Sequence, residues 1–455
     1  MQKNLHMVKS EGVQMKKLVS TILAAAMIMG LPAGCAKKAE VTYEPTVTVE
    51  PTAAAASSDV PQNTTVKESG NAIFQIANAQ SGTSSMTDEE LKKAYSQFVF
   101  GVMKRCVQEA KGENVLISAD SILFALDMTA AGASGTTLDQ MMNTMVPGAD
   151  NASAFRFGVE RMDSLQNDTL KIANSVWFNK TRASVVKDDF LDYVEKHFDA
   201  KATAIEFGPT VVDAVNKWVE EKTNGRIKDL LKEVDPDSLM VLVNAIAFDG
   251  KWKEGYNEGQ VWDAYFTNSS GEEKEVKFLS GTEDTYLSSE KATGFMKDYD
   301  DGKYAFMTIL PKDITVDINE FIAEMTPEEY WAFWENRQTS GIVHTMMPEF
   351  KTEYSVELPK TLIDMGMTDA FDAGKADFSN MVDTNVYISQ VIHKTYIDVN
   401  RDGTQAAAAT AVVMNEAAVE YDPNEHTVIC NRPFAYAIVD KATGLPVFLG
   451  TVEKV

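Results

Sequence analysis

The chain is short of the residues on which most catalytic sites and small stapled scaffolds are built. Its 455 residues include only three cysteines, Cys35, Cys106 and Cys430. None stands in a C-x-x-C or other zinc spacing, and three are too few for a disulfide framework. Cys106 and Cys430 lie among apolar neighbours and read as small core-filling thiols, although sequence alone leaves a bond between them open. Histidine is as scarce, with five in all. There is no H-E-x-x-H, no G-x-S-x-G nucleophile elbow and no Gly-Lys-Ser/Thr phosphate loop. His393 sits in an alternating apolar run, where a lone imidazole is a hydrogen-bonded core group more often than a catalyst. Positive charge is in deficit too: 42 Lys and Arg against 67 Asp and Glu give a net charge of −25. That balance excludes nucleic-acid binding and a polybasic membrane surface. No cofactor or metal is expected. Asp398-x-Asn400-x-Asp402-Gly403 matches the first half of a calcium loop, but the twelfth position, which should be a bidentate Glu, is Ala409.

What the chain has in quantity is apolar residues, 44% of it, including 22 Phe, 22 Met and 6 Trp. That is enough for a large core. Its beginning is different. Lys16 and Lys17 precede an apolar run, Leu18 to Met29, and then Leu-Pro-Ala-Gly-Cys at 31–35. A basic start, about a dozen apolar residues and a small-residue exit read as an export signal over residues 1–35, with Met15 as its natural start. Gly34-Cys35 resembles a bacterial lipobox, which would make Cys35 a lipid attachment site. Pro32 stands where the lipobox usually has Leu, and simple secretion is the alternative. Residues 36–85 are rich in Pro, Ala, Ser and Thr with little apolar periodicity, the composition of a flexible spacer. The expected location is outside the cell or on its surface, lipid-anchored in a bacterial membrane.

Order is expected over residues 86–455 as one domain. A capping box, Thr87 with Glu90, opens a helix carrying Leu91, Ala94, Phe98 and Val102 on one face. A second helix starts near Ser118–Ser121. A third runs from about Val211 to Lys222 and stops at Asn224-Gly225, residues that tolerate a left-handed backbone. The period then falls toward two over Leu239 to Phe248, Tyr304 to Leu310, Tyr387 to Val399 and Phe434 to Val439. Helices dominate the first half and strands the second, without regular βαβ alternation. The fold class is therefore α+β.

One segment fits neither pattern. Gly403-Thr404-Gln405-Ala406-Ala407-Ala408-Ala409-Thr410-Ala411-Val412-Val413 follows a strand directly, yet is neither polar nor turn-like. Alanine favours helix, but the string is short, starts at a Gly and ends in Val-Val. The other reading is a segment able to become a strand inside an existing sheet. Side chains entering between two formed strands must be small and uncharged, as Ala406 to Ala409 are. Val412 and Val413 favour the extended state.

The ordered chain resembles the serpins, over about residues 88–455. Asn114-Val-Leu-Ile-Ser118-Ala-Asp-Ser121 followed by Gly132-Ala133-x-Gly135-x-Thr137 is similar to the family's second-helix signature. Val215-Asn216-x-Trp218-Val219 with Thr223-x-Gly225-x-Ile227 follows. Then come Leu242-Val243-Asn244-Ala245 with Phe248-x-Gly250-x-Trp252. Leu362-x-x-Met365-Gly366-Met367, Ala376-Asp377-Phe378-Ser379 and Arg432-Pro433-Phe434 complete the set, in the family's order. The resemblance implies about nine helices around three β-sheets with an exposed bait loop, here Arg401 to roughly Tyr421. It implies a suicide substrate for a serine or cysteine protease: the loop is attacked, an acyl-enzyme forms, and the freed loop inserts into the main sheet. Release of strain by loop insertion is a behaviour for which serpins are a standard example. The chain would not itself be an enzyme, and a monomer is expected, in covalent complex with its protease. By the same resemblance Ser118, Ser121, Asn244 and His393 fall where the sheet opens, and Trp252 near its top.

Two departures bear on activity. Inhibitory members carry Glu two residues before the hinge Gly403; here that residue is Arg401. Its usual partner is a Lys, and here Pro348-Glu349-Phe350 puts Glu349 in that place. A charge-reversed pair between Arg401 and Glu349 is therefore expected. Ala119 also replaces a usual Pro. Counting from Arg401 puts the attacked bond at Ala417-Ala418. Counting back from Pro433 lets it lie anywhere from Glu416 to Tyr421. No Lys or Arg occurs between Arg401 and Arg432, so the expected target has an elastase-, subtilisin- or chymotrypsin-like pocket. The alternatives are a non-inhibitory serpin used for binding or as a chaperone, and a surface-anchored hydrolase or binding lipoprotein.

Overall fold

A computed structural model describes residues 86–236, 238–404 and 425–455, all within the unit Glu68–Val455. Asp88–Ala110 (α1) is capped by Thr87, whose side chain accepts from the Glu90 amide while Glu90 reaches back. Three acidic residues in its first turn suit the helix dipole. Its apolar stripe, with Tyr95, Phe98 and Val102, is buried. A short strand, Val115–Ile117 (β1), leads to Ser118, which caps Ala119–Ala130 (α2). Gly135–Met145 (α3) and Asn151–Leu165 (α4) pack beside α2.

Strand Leu170–Asn179 (β2), helix Asp188–Phe198 (α5), strand Lys201–Ile205 (β3) and helix Pro209–Lys222 (α6) follow. Proline at the start of α6 costs no hydrogen bond. Beyond its end, Asn224 and Gly225 both adopt positive φ, 52° and 77°. The remaining elements are mostly strands. They are Met240–Phe248 (β4), Gly250–Lys251 (β5), Val261–Thr267 (β6), Glu273–Glu283 (β7), Thr285–Ser288 (β8), Ala292–Asp298 (β9) and Tyr304–Pro311 (β10). After Ile318–Glu324 (α7) and Pro327–Glu335 (α8) come Ile342–Pro348 (β11), Phe350–Glu357 (β12) and Pro359–Asp364 (α9). The last are Ile392–Asn400 (β13), Gly403–Thr404 (β14), Glu425–Ile429 (β15), Phe434–Asp440 (β16) and Pro446–Val452 (β17).

The described residues thus form an α+β fold with nine α-helices. A six-stranded sheet, β1-β17-β16-β10-β9-β8, forms the centre of the core. Every residue of β10, β16 and β17 is buried, in keeping with their predominantly apolar sequences. A second sheet, β15-β11-β7-β6, has four strands. The third expected sheet is divided by hydrogen bonding into β3-β2-β4 and β12-β13-β14-β5. Only Asp249 separates β4 from β5, so one strand runs through both halves. Between β4 and β13, however, no backbone ladder forms among the described residues. β13 also starts at Ile392, not Tyr387: residues 387–391 line the opening between the halves and have no strand partner there.

A buried ionic cluster secures α2 beneath this divided sheet. Arg161 of α4 grips Asp120 with two bonds, Nε to Oδ1 at 3.1 Å and Nη2 to Oδ2 at 2.9 Å. Its Nη1 reaches Asp440 Oδ2 at 2.9 Å, and Tyr95 donates to Asp120 at 2.8 Å. Further along α2, Asp127 is buried and neither carboxylate oxygen has a hydrogen-bond partner among the described residues. It fits only because residue 158 is glycine; a Cβ there would lie 1.9 Å from Asp127 Oδ2. Burial therefore holds the Asp127 carboxyl protonated, far above the usual carboxylate range.

A raised folded-state pKa gives stability that is complete in acid and is lost as pH climbs past about 4, where an unfolded Asp ionises. Asp127→Asn should match the native chain in urea midpoint at pH 4 and exceed it at pH 8. Equal midpoints at pH 8 would show that Asp127 carries no such cost.

Candidate functional site

The opening between β4 and β13 is a cleft of about 870 Å³, walled by residues 240–245 on one side and 387–394 on the other. Its floor is the first turn of α2. Ser121 Oγ donates to Asn244 Oδ1 of β4 at 2.5 Å, and Asn244 Nδ2 donates to Asn174 Oδ1 of β2 at 2.8 Å. The cap residue Ser118 reaches the other side: its backbone N–H donates to His393 Nε2 of β13 at 3.0 Å. One helix terminus therefore holds both lips, through the Ser121 hydroxyl on one side and the Ser118 backbone amide on the other. The structure brings Ser118, Ser121, Asn244 and His393 together.

His393 is neutral in this arrangement. Its Nε2 accepts a hydrogen bond, so the ring proton sits on Nδ1. The ring is only 4% exposed and faces the positive end of a helix. Burial pushes its pKa down to about 3.

The upper end of the division is closed differently. Asn400 and Gly403 face each other in a tight reversal, and β14 pairs antiparallel with β13 through Val399↔Thr404. On its other side β14 pairs antiparallel with β5, Thr404 opposite Gly250. A single strand thus fits between the two halves at this level. Backbone contact is close: a Cβ on Gly403 would lie 2.2 Å from the Gly250 carbonyl oxygen, so only glycine serves here.

Trp252 lies beneath this reversal. Its indole Nε1 donates to Asn400 O at 2.9 Å, its backbone N–H donates to Asp402 O at 3.1 Å, and its ring stacks on Tyr299 with centroids 4.7 Å apart. Glu349 comes to the same place, but not as a charge partner. Its Oε1 accepts the backbone N–H of Arg401 at 3.1 Å, while the Arg401 guanidinium donates to Tyr256 O at 3.3 Å. Among the described residues no ion pair joins the two side chains. The expected charge-reversed pair is replaced by a carboxylate-to-amide bond that is indifferent to the side chain at 401.

Several residues singled out in sequence lie outside the described residues: Cys35, Ala406, Ala407, Ala408, Ala409, Thr410, Ala417, Ala418 and Tyr421. Cys106 and Cys430 are buried free thiols, both pushed up to about 12 by burial, so the bond left open between them does not form. The calcium-loop residues are committed elsewhere. Asp398 pairs with Lys351 at 2.9 Å, and Asn400 and Asp402 bond within their own turn. Sequence reasoning missed Tyr299 and Tyr256. Only their spacing from Trp252 could have marked them, and aromatic residues at such spacing are usually ordinary core.

A folded-state pKa near 3 leaves His393 contributing fully above pH 6.5. That contribution falls as pH drops, because the unfolded chain takes a proton that the fold refuses. Between pH 6.5 and 5 the native chain should lose about 2 kcal/mol from this source. His393→Gln should flatten the profile in that window, read as the difference in thermal midpoint; parallel profiles would contradict the assignment.

Comparison with known proteins agrees with this geometry. Residues 93–455 match the family model described as serpin, serine protease inhibitor. The leukocyte elastase inhibitor of Xenopus laevis is 31% identical over 80% of this chain and 98% of its own length. The crystal structure of the thermophilic serpin tengpin in its native state has a TM-score of 0.74 and 36% identity, covering 81% of this chain and 95% of that one. Tengpin in its latent state gives 0.70 and 34%, over 81% and 98%. The family model spans most of the chain, and relatives above 30% identity are covered over nearly their whole length: the chain belongs to the serpin family of protease inhibitors.

Proposed function

We propose that the protein is an irreversible inhibitor of serine proteases, acting by insertion of its cleaved bait loop into the cleft between β4 and β13. The observation that best supports this is β14. Two residues of the loop's near end already stand as an antiparallel strand between the two halves. Below them, no backbone ladder joins the two lips among the described residues, so an entering strand would find partners on both sides.

Carrying the β13 register onward sets Ala406 opposite Ile397, Ala408 opposite Thr395 and Thr410 opposite His393. Ile397, Thr395 and His393 are buried members of β13. The sequence supplies small side chains for those inward positions, and at the level of His393 and Asn244 it supplies a hydroxyl. Each inserted residue gains backbone hydrogen bonds on both sides, which favours the inserted state.

The chemistry belongs to the target. Its serine Oγ attacks a loop carbonyl, the C–N bond to the next residue breaks, and the new amine leaves with a proton. An ester remains between protease and loop. Insertion then draws the ester-bound protease away before water can cleave it. Ala417-Ala418 is the proposed bond, with the range extending to Tyr421, and a small-pocket or chymotrypsin-like protease is the proposed partner. No metal or cofactor enters this scheme. The chain is proposed to be exported and anchored through lipid on Cys35.

Incubation with pancreatic elastase, subtilisin and chymotrypsin should give an SDS-stable complex with at least one, and the released peptide's mass should fix the bond. Cleavage by all three without any complex would refute inhibition and favour a non-inhibitory member. Thr410→Arg, which would bury an unpaired charge beside His393, should raise the inhibitor consumed per protease at least about ten-fold; no change would refute the register. Expressed in a Gram-negative host with labelled palmitate, the native chain should incorporate label and Cys35→Ser should not. Absence of label from both would point to simple secretion.

A further inference from the structure

Thr404 is held by a group that the scheme above does not use. It is only 2% exposed, and its Oγ1 lies 2.5 Å from the Tyr299 hydroxyl, which is fully buried. Tyr299 is pinned in turn. It stacks on Trp252 at an interplanar angle of 16° and meets Phe248 edge-on, with centroids 4.7 Å apart. Below Trp252 and Tyr256 sits a buried ion pair, Lys297 with Glu283 at 2.7 Å. Lys297 Nζ lies 4.4 Å from the Tyr256 ring centroid and 5.6 Å from that of Trp252. Tyr256 N–H donates to Arg401 O at 3.0 Å. The rings that carry the hinge therefore rest on a largely buried charge pair.

We infer that Tyr299 is a positioning residue for trapping: its hydroxyl docks Thr404 in the sheet of the intact protein, so that insertion starts from a strand already two residues long. This rests on the reading of the chain as an inhibitor. Starting a strand between two others fixes several dihedrals before neighbouring bonds compensate, and each later residue adds bonds on both sides. A docked first pair removes that initial barrier. After acylation, insertion competes with hydrolysis of the ester, so the docked pair favours trapping over turnover. Docking also holds the near end of the loop against the body, which slows its first engagement by a protease. Loss of the Tyr299–Thr404 bond should therefore separate two observables. Inhibitor consumed per protease rises, and the initial association rate stays level or rises. A generally weakened fold would not split them in that way.

The test compares Tyr299→Phe, Thr404→Val and Thr404→Ser in the full chain. The first two remove one hydroxyl with little change in shape; the serine keeps it. Tyr299→Phe and Thr404→Val should each consume about five-fold more inhibitor per protease, the factor corresponding to one ordinary hydrogen bond. The double variant should be no worse than either single one, because they remove the same bond. Thr404→Ser should stay within about two-fold of the native chain. Independently, hydrogen exchange should quicken in peptides covering 250–256 and 399–404 in Tyr299→Phe, and not in those covering β10 or β16. Unchanged consumption in Tyr299→Phe, or a serine variant as poor as the valine, would overturn the inference. If the native chain traps no protease, the inhibitory reading fails. The exchange measurement still decides whether Tyr299 docks the hinge.

Discussion

The rest of the structure turns on one interaction not made among the described residues, a backbone ladder between β4 and β13. Among the described residues the facing donors and acceptors of these two strands do not pair with each other, and the lips are bridged at the two ends. Below, the first turn of α2 reaches both lips, through Ser121 to Asn244 and through the Ser118 amide to His393. Above, Gly403 and Thr404 enter as a strand of two residues. Between them the cleft of about 870 Å³ remains open. Backbone groups along the lips are therefore available to pair with a strand that enters between them.

The supports below and above differ in character. The lower one is polar and compact, with His393 kept neutral by burial and by the helix terminus it faces. The upper one is aromatic, with Trp252, Tyr256 and Tyr299 layered over the Lys297–Glu283 pair. Asp127 adds a third kind of constraint, a buried carboxyl with no hydrogen-bond partner among the described residues, which burial holds above the usual carboxylate range.

Much of this was legible in the sequence, for identifiable reasons. The capping box at Thr87 and Glu90, the cap at Ser118 and the stop at Asn224-Gly225 are local signals, and the backbone follows them. Class α+β followed from the change of apolar period along the chain. The gathering of Ser118, Ser121, Asn244 and His393 was not local; it was available only through resemblance, since 275 residues separate Ser118 from His393. Three matters were misread or missed. The strand expected from Tyr387 begins at Ile392, because an apolar alternation cannot tell a paired strand from a cleft wall. The Arg401–Glu349 ion pair gave way to a carboxylate-to-amide bond, because backbone donors compete with side chains and leave no trace in residue identity. Tyr299 went unnoticed because its function depends on a hydroxyl contact 105 residues away.

The central claim is that the cleft accepts the loop as a strand, and thermal unfolding of the nicked protein tests it most directly. A bacterial protease that cuts within 411–421 without being trapped leaves the near end of the loop free to enter. About ten new backbone hydrogen bonds at roughly 1 kcal/mol each, at about 1.3 °C per kcal/mol for a domain of this size, predict a rise of about 13 °C in thermal midpoint over the intact chain. A nicked protein that melts at or below the temperature of the intact one would contradict the account.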